Sequence, residues 1–265
     1  MASRTKQKEA ARAKRLAEER ARQERERRQR RLRMIAGVVI GAVAVVAVAI
    51  AISSGGGGSH GLQTGTKLTA TKASVNNVLA GIPQSGSTLG NANAPVTVTE
   101  FGDLQCPICR DFALGAENQL ISNEVKSGKV KLVYRSLMTA TGNGPNPSIF
   151  PTQQAAALAA GEQQKAWQYI LLFYHQQGTE DTNYVNTAYL DGIARQVAGL
   201  NFSKWSTDRQ SANLTGQVTT DQQLAASKGF TSTPSLTIQG PKGSAQPIVG
   251  DASYSSLQQA IKSVS

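Results

Sequence analysis

Cys106 and Cys109, three positions apart, are the only cysteines in the 265-residue chain. A helix beginning at Pro107, where proline is tolerated, would carry both sulfur atoms on one face of its first turn. Cys106 would hold the exposed cap position, where unpaired N–H groups and the positive end of the helix dipole favour a thiolate. Cys109 would lie one turn further in, shielded and able to attack a mixed disulfide. The spacing therefore predicts thiol–disulfide exchange.

A zinc half-site and a structural disulfide are the other uses of such a pair. Structural zinc takes four Cys or His ligands, but there is no third cysteine, and the two histidines, His60 and His175, fall in a predicted linker and a predicted helix. We therefore expect no metal and no cofactor. An inert disulfide stays open, although a bridge across three residues closes a very small loop and would constrain the unfolded chain only weakly.

The two cysteines follow a predicted strand. Val96–Phe101 alternates and is rich in β-branched residues, which is typical of a strand. The helix from Pro107 should run to about Ser127 and end at Gly128, and 129–137 reads as the next strand. Strand, helix and strand of these lengths predict a parallel βαβ unit with a right-handed crossover. A C-x-x-C pair at the end of such a strand is a stronger redox signal than the pair alone.

Further elements are predicted towards the C-terminus. A helical region should cover about 152–229, and we interpret four of its apolar residues as core because they recur at helical spacing: Trp167, Ile170, Leu171 and Tyr174. Strands at 235–239 and 246–249 and a helix at 253–264 should follow. The predicted order is β-α-β, a helical insertion, then β-β-α.

Two more features could belong to a redox site. Glu100 shares a strand face with Val96 and Val98, so it should point inward beneath the helix, where a carboxylate could accept or relay the Cys109 proton. The alternative is a solvated glutamate at a strand end. Thr233-Pro234 precedes the third strand, but because only about 5–6% of such bonds are cis in folded proteins, the sequence alone predicts no cis bond.

The N-terminal residues predict a membrane anchor. Of the net charge of +11, residues 1–33 carry +9, from 14 Lys or Arg and 5 Glu. Residues 34–52 are uncharged and would span about 28 Å as a helix, close to a bilayer core of about 30 Å. The basic flank lies on the amino side, which places the N-terminus in the cytoplasm. A cleaved signal peptide is the alternative, but the apolar run and the charged leader are both too long for one.

The tail and the segment after the span are expected to be solvated. We interpret residues 1–33 as a basic cytoplasmic tail that sets topology and expect no nucleic acid as partner, with binding to anionic headgroups or nucleic acid as the alternative. Residues 53–86 are predicted to be a flexible linker that begins with a Gly/Ser run, in which Val75, Val78, Leu79 and Ile82 offer at most a short docked segment. The folded domain is predicted over 87–265.

The motif and the order of elements resemble a known family. The run Glu-Phe-Gly-Asp-Leu-Gln-Cys-Pro-Ile-Cys-Arg-Asp-Phe at 100–112, the helical insertion and Thr-Ser-Thr-Pro-Ser at 231–235 look like the DsbA-like branch of the thioredoxin superfamily. The resemblance covers about 87–265. It implies an α/β, thioredoxin-like fold with a helical insertion, here preceded by a single transmembrane helix and a basic N-terminal helix.

The resemblance also implies roles for individual residues. Cys106 would attack, Cys109 would resolve and Glu100 would be the buried acid. Pro234 would be a cis-proline facing the disulfide, and Thr233 would offer its backbone to an extended substrate.

Pro107 and Ile108, between the cysteines, would complete the substrate-binding set with Thr233 and Pro234. The best-known oxidising members have His where this chain has Ile108. Since an apolar side chain cannot stabilise a thiolate as imidazolium does, we expect the Cys106 pKa to be less depressed than the value of about 3.5 found in DsbA.

These observations predict a membrane-anchored, extracytoplasmic thiol–disulfide oxidoreductase that forms disulfide bonds in exported proteins. Its partners would be client proteins with free thiols and a membrane redox partner that reoxidises the motif. A reductase or isomerase using the same motif is the alternative within the class. A tethered scaffold with a structural disulfide is the alternative outside it, because a fold does not define a function.

Overall fold

The computed structural model describes residues 61–265. Helices α1 to α5 are Gly65–Leu79, Pro107–Leu114, Ala116–Leu120, Ala140–Asn143 and Phe150–Gly161. Helices α6 to α10 are Ala166–His175, Thr187–Gln196, Phe202–Asp208, Ala212–Ser227 and Tyr254–Val264. A π-helical turn, Ile121–Val125, follows α3, and a 3-10 turn, Pro147–Ile149, precedes α5. Strands β1 to β7 are Gln84–Ser85, Thr88–Leu89, Val96–Gly102, Val130–Ser136, Ser235–Gly240, Gly243–Ser244 and Ile248–Val249.

The strands of the described part of the chain form one sheet in the order β1-β2-β4-β3-β5-β6, with β7 also pairing with β5. Strand β3 is parallel to β4 and antiparallel to β5. The predicted βαβ unit is therefore confirmed, and β3 is the central strand. The cysteine motif follows the carboxyl end of β3, and only the three residues 103–105 separate the strand from Cys106.

Alternating burial explains why these segments are strands. Along β3, Val96, Val98 and Glu100 are buried, whereas Thr97 and Thr99 are half-buried. The same alternation runs along β4. The apolar residues of α6 are buried as well, so the interpretation of 167–174 as core is confirmed. The helices therefore cover a sheet whose buried positions are largely apolar.

The helical insertion is attached to the sheet by a buried carboxylate. Asp221 of α9 accepts hydrogen bonds from the Arg135 guanidinium at 2.8 Å and from the Ser136 backbone N–H at 3.0 Å, both on β4. Burial raises the pKa of Asp221, and the Arg135 hydrogen bond opposes that rise. The two hydrogen bonds span 86 and 85 positions of the sequence. No local sequence pattern therefore predicts them.

The helix after the first cysteine is shorter than predicted. It ends at Leu114, and Gly115 separates it from α3. A Cβ atom at Gly115 would lie 2.8 Å from the Asp111 carbonyl oxygen, so the break needs a residue without a side chain. The chain then continues through α3 and the π-helical turn to Val125. The apolar periodicity predicted one helix because it does not register this local bend.

The prediction of a flexible linker up to residue 86 is wrong for its described part. Helix α1 lies within it and buries Thr71, Val75 and Leu79, which recur every four residues and so share one helix face. Just before α1, the Gln63 side chain donates a hydrogen bond to the His175 carbonyl at 2.8 Å. The sequence favoured a linker because the few apolar positions stand among many Gly, Ser, Thr and Asn residues. Since α1 packs against the domain, the folded region begins before residue 87.

The predicted basic tail (1–33), the predicted membrane span (34–52) and the start of the linker lie outside the described residues. Within 61–265, every helix is too short or too polar to cross a bilayer.

Candidate active site

Cys106 caps the N-terminus of α2. Its backbone is extended, and its Sγ accepts a hydrogen bond from the Cys109 backbone N–H at 3.4 Å. Pro107 occupies the first helical position, where no N–H donor is needed. Both cysteines are free thiols. The predicted cap geometry is therefore confirmed, and an orphan N–H of the helix end points at the sulfur atom.

The expectation that the cap position is openly exposed is wrong. Cys106 is only 5% exposed, and Cys109 is completely buried. The covering group is Thr233, whose carbonyl oxygen accepts a hydrogen bond from the Cys106 thiol at 3.6 Å. Because Thr233 is 127 residues away in the sequence, the local motif does not register it. Cys109 is shielded as predicted.

The two thiols differ in acidity. The pKa of Cys106 is lowered to about 6, chiefly because the Cys109 thiol donates a hydrogen bond to its thiolate, with the Thr233 side chain and the backbone N–H groups of Cys109 and Ile108 acting in the same direction. Burial raises the pKa of Cys109, and the neighbouring Cys106 raises it further. Cys106 is thus the thiolate at neutral pH, with a pKa less depressed than about 3.5, in line with the expectation from Ile108.

Glu100 lies inside the protein beneath the motif. Its side chain is fully buried, so the inward orientation is confirmed and the solvated alternative is wrong. Burial, together with the nearby Glu117 carboxyl, raises its pKa well above the usual range. A Cβ atom at Gly102 would lie 3.0 Å from Glu100 Oε1 and 2.8 Å from Tyr134 Cε2, so glycine leaves room for the carboxyl group.

The segment before β5 faces the motif. The Thr233–Pro234 peptide bond is cis, as the resemblance implied. The Thr233 and Thr139 hydroxyl groups share a hydrogen bond of 2.5 Å, and the Pro234 carbonyl accepts one from the Gly250 N–H at 2.8 Å. These contacts place Thr233 against Cys106 from the opposite side of the site.

The residues predicted to bind substrate lie directly after Cys106 in α2 or in the segment that contacts it. Pro107 is half-buried and Ile108 is 43% exposed, whereas Thr233 and Pro234 are buried. Met138, next to Thr139, is also apolar and 40% exposed, although no sequence motif singled it out. The roles of the four predicted residues in binding stay predictions.

Asp103 is a site residue that the sequence analysis missed. It is fully buried in the loop between β3 and α2. Its carboxylate accepts five hydrogen bonds: from the backbone N–H groups of Gln105, Thr139 and Thr141, from the Thr141 hydroxyl and from the Gln153 amide. It therefore holds the motif loop to the segment that carries Thr139. The one signal in the sequence that could have indicated its role is its position directly after the central strand.

Gln177, after helix α6, holds the motif from the helical insertion. Its side-chain amide donates hydrogen bonds to the Leu104 carbonyl at 2.8 Å and to the Cys106 carbonyl at 3.0 Å. The backbone of Cys106 is thus held from outside the βαβ unit. Within 61–265, no cluster of three or more His, Cys, Asp or Glu side chains could hold a metal ion.

The central βαβ unit, with two cysteines of unequal acidity at the helix tip and a cis-proline segment opposite, defines a thioredoxin-type thiol site. The thioredoxin family model matches residues 84–263, and the chain belongs to that family. The resemblance to DsbA-like thiol–disulfide oxidoreductases is confirmed by the relatives and neighbours described next.

Two curated relatives carry related names. Disulfide bond formation protein D of Bacillus subtilis (strain 168) is 25% identical over 153 residues, 56% of this chain and 65% of the relative. The probable disulfide bond formation protein D of Bacillus anthracis is 25% identical over 159 residues, 57% of this chain and 69% of the relative. The chain thus spans slightly under two thirds of the first of these relatives and slightly over two thirds of the second.

Solved structures share the fold. Oxidised BdbD from Bacillus subtilis matches with a TM-score of 0.57 at 19% identity, over 68% of this chain and 97% of that one. DsbA2 from Pseudomonas aeruginosa matches with a TM-score of 0.52 at 24% identity, over 69% and 95%. A thioredoxin-like oxidoreductase from Silicibacter pomeroyi DSS-3 matches with a TM-score of 0.53 at 25% identity, over 71% and 95%.

Proposed function

We propose that this protein is a thiol–disulfide oxidoreductase that forms disulfide bonds in other proteins by exchange through Cys106 and Cys109. The observation that carries the proposal is the unequal pair: Cys106 lies at the helix tip and is ionised near neutral pH, whereas Cys109 is completely buried and protonated. A structural disulfide has no need of this inequality. The names of the relatives support the same activity.

The geometry supports a two-step exchange. In the oxidised protein, a client thiolate attacks Cys106 Sγ, the Cys106–Cys109 bond breaks, and Cys109 leaves with the electron pair and takes up a proton. A second client thiolate then attacks the client sulfur of the mixed disulfide, and Cys106 leaves as a thiolate. The client loses two electrons and gains a disulfide, while the protein becomes a dithiol. The low pKa of Cys106 makes it a good leaving group.

The proposed setting is the outer side of a cell membrane. The uncharged stretch 34–52 and its basic amino flank support a single-pass anchor with a cytoplasmic N-terminus. Disulfides persist outside the reducing cytosol, so the clients would be exported proteins with free thiols. Each turnover leaves Cys106 and Cys109 reduced, and a membrane redox partner would have to reoxidise them.

A reductase or isomerase is the second candidate. It is favoured by the Cys106 pKa of about 6, which lies nearer the value of about 7 for thioredoxin than that of about 3.5 for DsbA. A less depressed pKa stabilises the dithiol less and makes the pair less oxidising. The direction of electron flow therefore depends on the reduction potential.

Equilibration of the full-length protein with glutathione buffers measures that potential. We expect a value between about −120 mV, as in DsbA, and about −270 mV, as in thioredoxin, together with stoichiometric oxidation of a reduced two-cysteine peptide by the oxidised protein. A potential below about −270 mV would favour the reductase. A disulfide that exchanges with neither glutathione nor the peptide would support the scaffold alternative and contradict the proposed function.

A further inference from the structure

A second buried carboxyl group, Glu117 of α3, lies beside Glu100. Both side chains are completely buried, and each carboxyl group shifts the pKa of the other. None of their four oxygen atoms receives a hydrogen bond from an N–H or hydroxyl group of residues 61–265. The ion pairs among these residues include neither carboxylate. The exchange mechanism described above makes no use of Glu117.

Two adjacent carboxylates without donors cannot both be ionised in a buried site, because each charge is poorly solvated and repels the other. A proton on one of the carboxyl groups supplies the donor that both lack. Glu100 and Glu117 then form an acid pair whose titration belongs to the pair and not to either residue. Such pairs share a proton in other enzymes.

Ionisable groups from three other elements act on this pair. Cys106 and Cys109 lie on or at the start of α2, Tyr134 on β4 and Tyr174 on α6. Burial raises the pKa values of both tyrosines well above their usual range, so they stay protonated at neutral pH. Cys109 is the neighbour whose proton must move during exchange, and its thiol is electrostatically coupled to Glu100.

We propose that Glu100 and Glu117 form one acid–base unit that cycles between two protons and one, and that it exchanges its proton with Cys109 during the reaction. This inference rests on the proposed function. When Cys109 attacks a mixed disulfide at Cys106, its S–H proton passes to the singly protonated pair, the Cys106–Cys109 bond forms, and the client leaves as a thiolate with the electron pair. In the reverse step the doubly protonated pair returns a proton to the departing Cys109.

Glu117 is a positioning residue in this scheme, because it acts through Glu100. Its carboxyl group shares the remaining proton and thereby stabilises the anion that receives the Cys109 proton. Burial raises the pKa of Glu117 to about 7, so the change from two protons to one falls in the neutral range. Glu117 raises the pKa of the second proton loss of the pair, and sharing that proton makes the first loss easier. Without Glu117, Glu100 is a single buried acid that titrates between these two steps, and therefore at a higher pH than the first step of the pair.

The test uses the full-length protein with glutathione attached to Cys106, and it follows the release of glutathione by Cys109 as a function of pH. In the wild type, the release rate should rise with an inflection near pH 7. Glu117→Leu should move the inflection up by at least one pH unit and slow release at pH 7 about tenfold, since a one-unit pKa shift is a tenfold change in the base form. Glu117→Gln should restore most of the rate, because its amide donates to the Glu100 carboxylate.

Glu124→Gln is the matched control. Glu124 lies in the π-helical turn after α3, where its half-buried carboxylate pairs with Lys129 and accepts a hydrogen bond from the Tyr254 hydroxyl. It is not among the groups that act on Glu100 or Glu117, so its replacement should leave the inflection unchanged. An unshifted inflection in Glu117→Leu, or a Glu117→Gln variant no better than Glu117→Leu, would overturn the proposal. If glutathione does not form a mixed disulfide with Cys106, the proposed function fails instead.

An infrared difference spectrum between the oxidised and reduced wild-type protein needs no substitution and no client. The carboxylic-acid C=O band should change with the redox state, because the Cys106 thiolate of the reduced form raises the pKa of Glu100. The change should be lost in Glu117→Leu and kept in Glu124→Gln. A wild-type spectrum without a carboxylic-acid band change would overturn the proposal, whether or not the Glu117 variants fold.

Discussion

Replacing Cys106 with serine abolishes disulfide exchange, lowering the rate of peptide oxidation by about a thousandfold or more, a loss of the size seen when an enzyme nucleophile is removed. Serine can neither form the disulfide with Cys109 nor present a thiolate to a client. The measurement is the rate at which the oxidised wild type and the Cys106→Ser variant oxidise a reduced two-cysteine peptide. Residual oxidation above about a tenth of the wild-type rate would exclude Cys106 as the attacking residue.

Cys109→Ala is the informative counterpart, because it removes resolution and keeps the attacking sulfur. This variant should accumulate mixed disulfides through Cys106 with clients and with the redox partner, visible on a non-reducing gel. The Cys109 thiol is the main cause of the low Cys106 pKa, so its loss should raise that pKa, and trapping should be stronger at pH 8 than at pH 6. No adducts at either pH would contradict the exchange mechanism.

Replacing Asp103 with alanine has the second-largest expected effect. Five hydrogen bonds converge on its buried carboxylate, and each buried donor left unpaired costs about 1–3 kcal/mol. Because part of the loop can relax, we expect a loss of about 3 kcal/mol in the free energy of unfolding. Exchange should also slow, because Thr139 loses its bond to Asp103 and contacts Thr233, which covers Cys106. Urea unfolding of the reduced protein measures the first effect.

Asp111→Ala is the control for Asp103→Ala. Asp111 lies on α2 at the surface, where its side chain is 58% exposed and pairs with Arg110. Surface replacements of this kind change stability by less than about 0.5 kcal/mol. Equal stability of the two variants would show that the Asp103 hydrogen bonds do not hold the motif loop.

The sequence predicted the part of the site that depends on short spacing. The cap position of Cys106, the shielding of Cys109 and the inward side of Glu100 all follow from the periods of one helix and one strand. Helix and strand periodicity predicts where a side chain lies only within about one helical turn or one strand of the motif. It was therefore enough to predict the unequal surroundings of the two cysteines.

The rest of the site depends on contacts between distant segments. Thr233 covers Cys106 across 127 positions, and Gln153 meets Asp103 across 50. Glu117 lies two residues after the helix break at Gly115, and apolar periodicity does not encode that break. The docked helix α1 was missed because its three buried residues stand among polar ones. Local patterns cannot register any of these, since each depends on tertiary packing.

The most direct test of the account is the pH dependence of alkylation of the two cysteines in the reduced full-length protein. Brief pulses of iodoacetamide followed by peptide mass spectrometry report each thiol separately. Because the thiolate reacts and forms above the pKa, labelling of Cys106 should rise with pH to a midpoint of about 6, while Cys109 stays unlabelled through the neutral range. Slow labelling of both cysteines that rises together near their ordinary pKa would contradict the account.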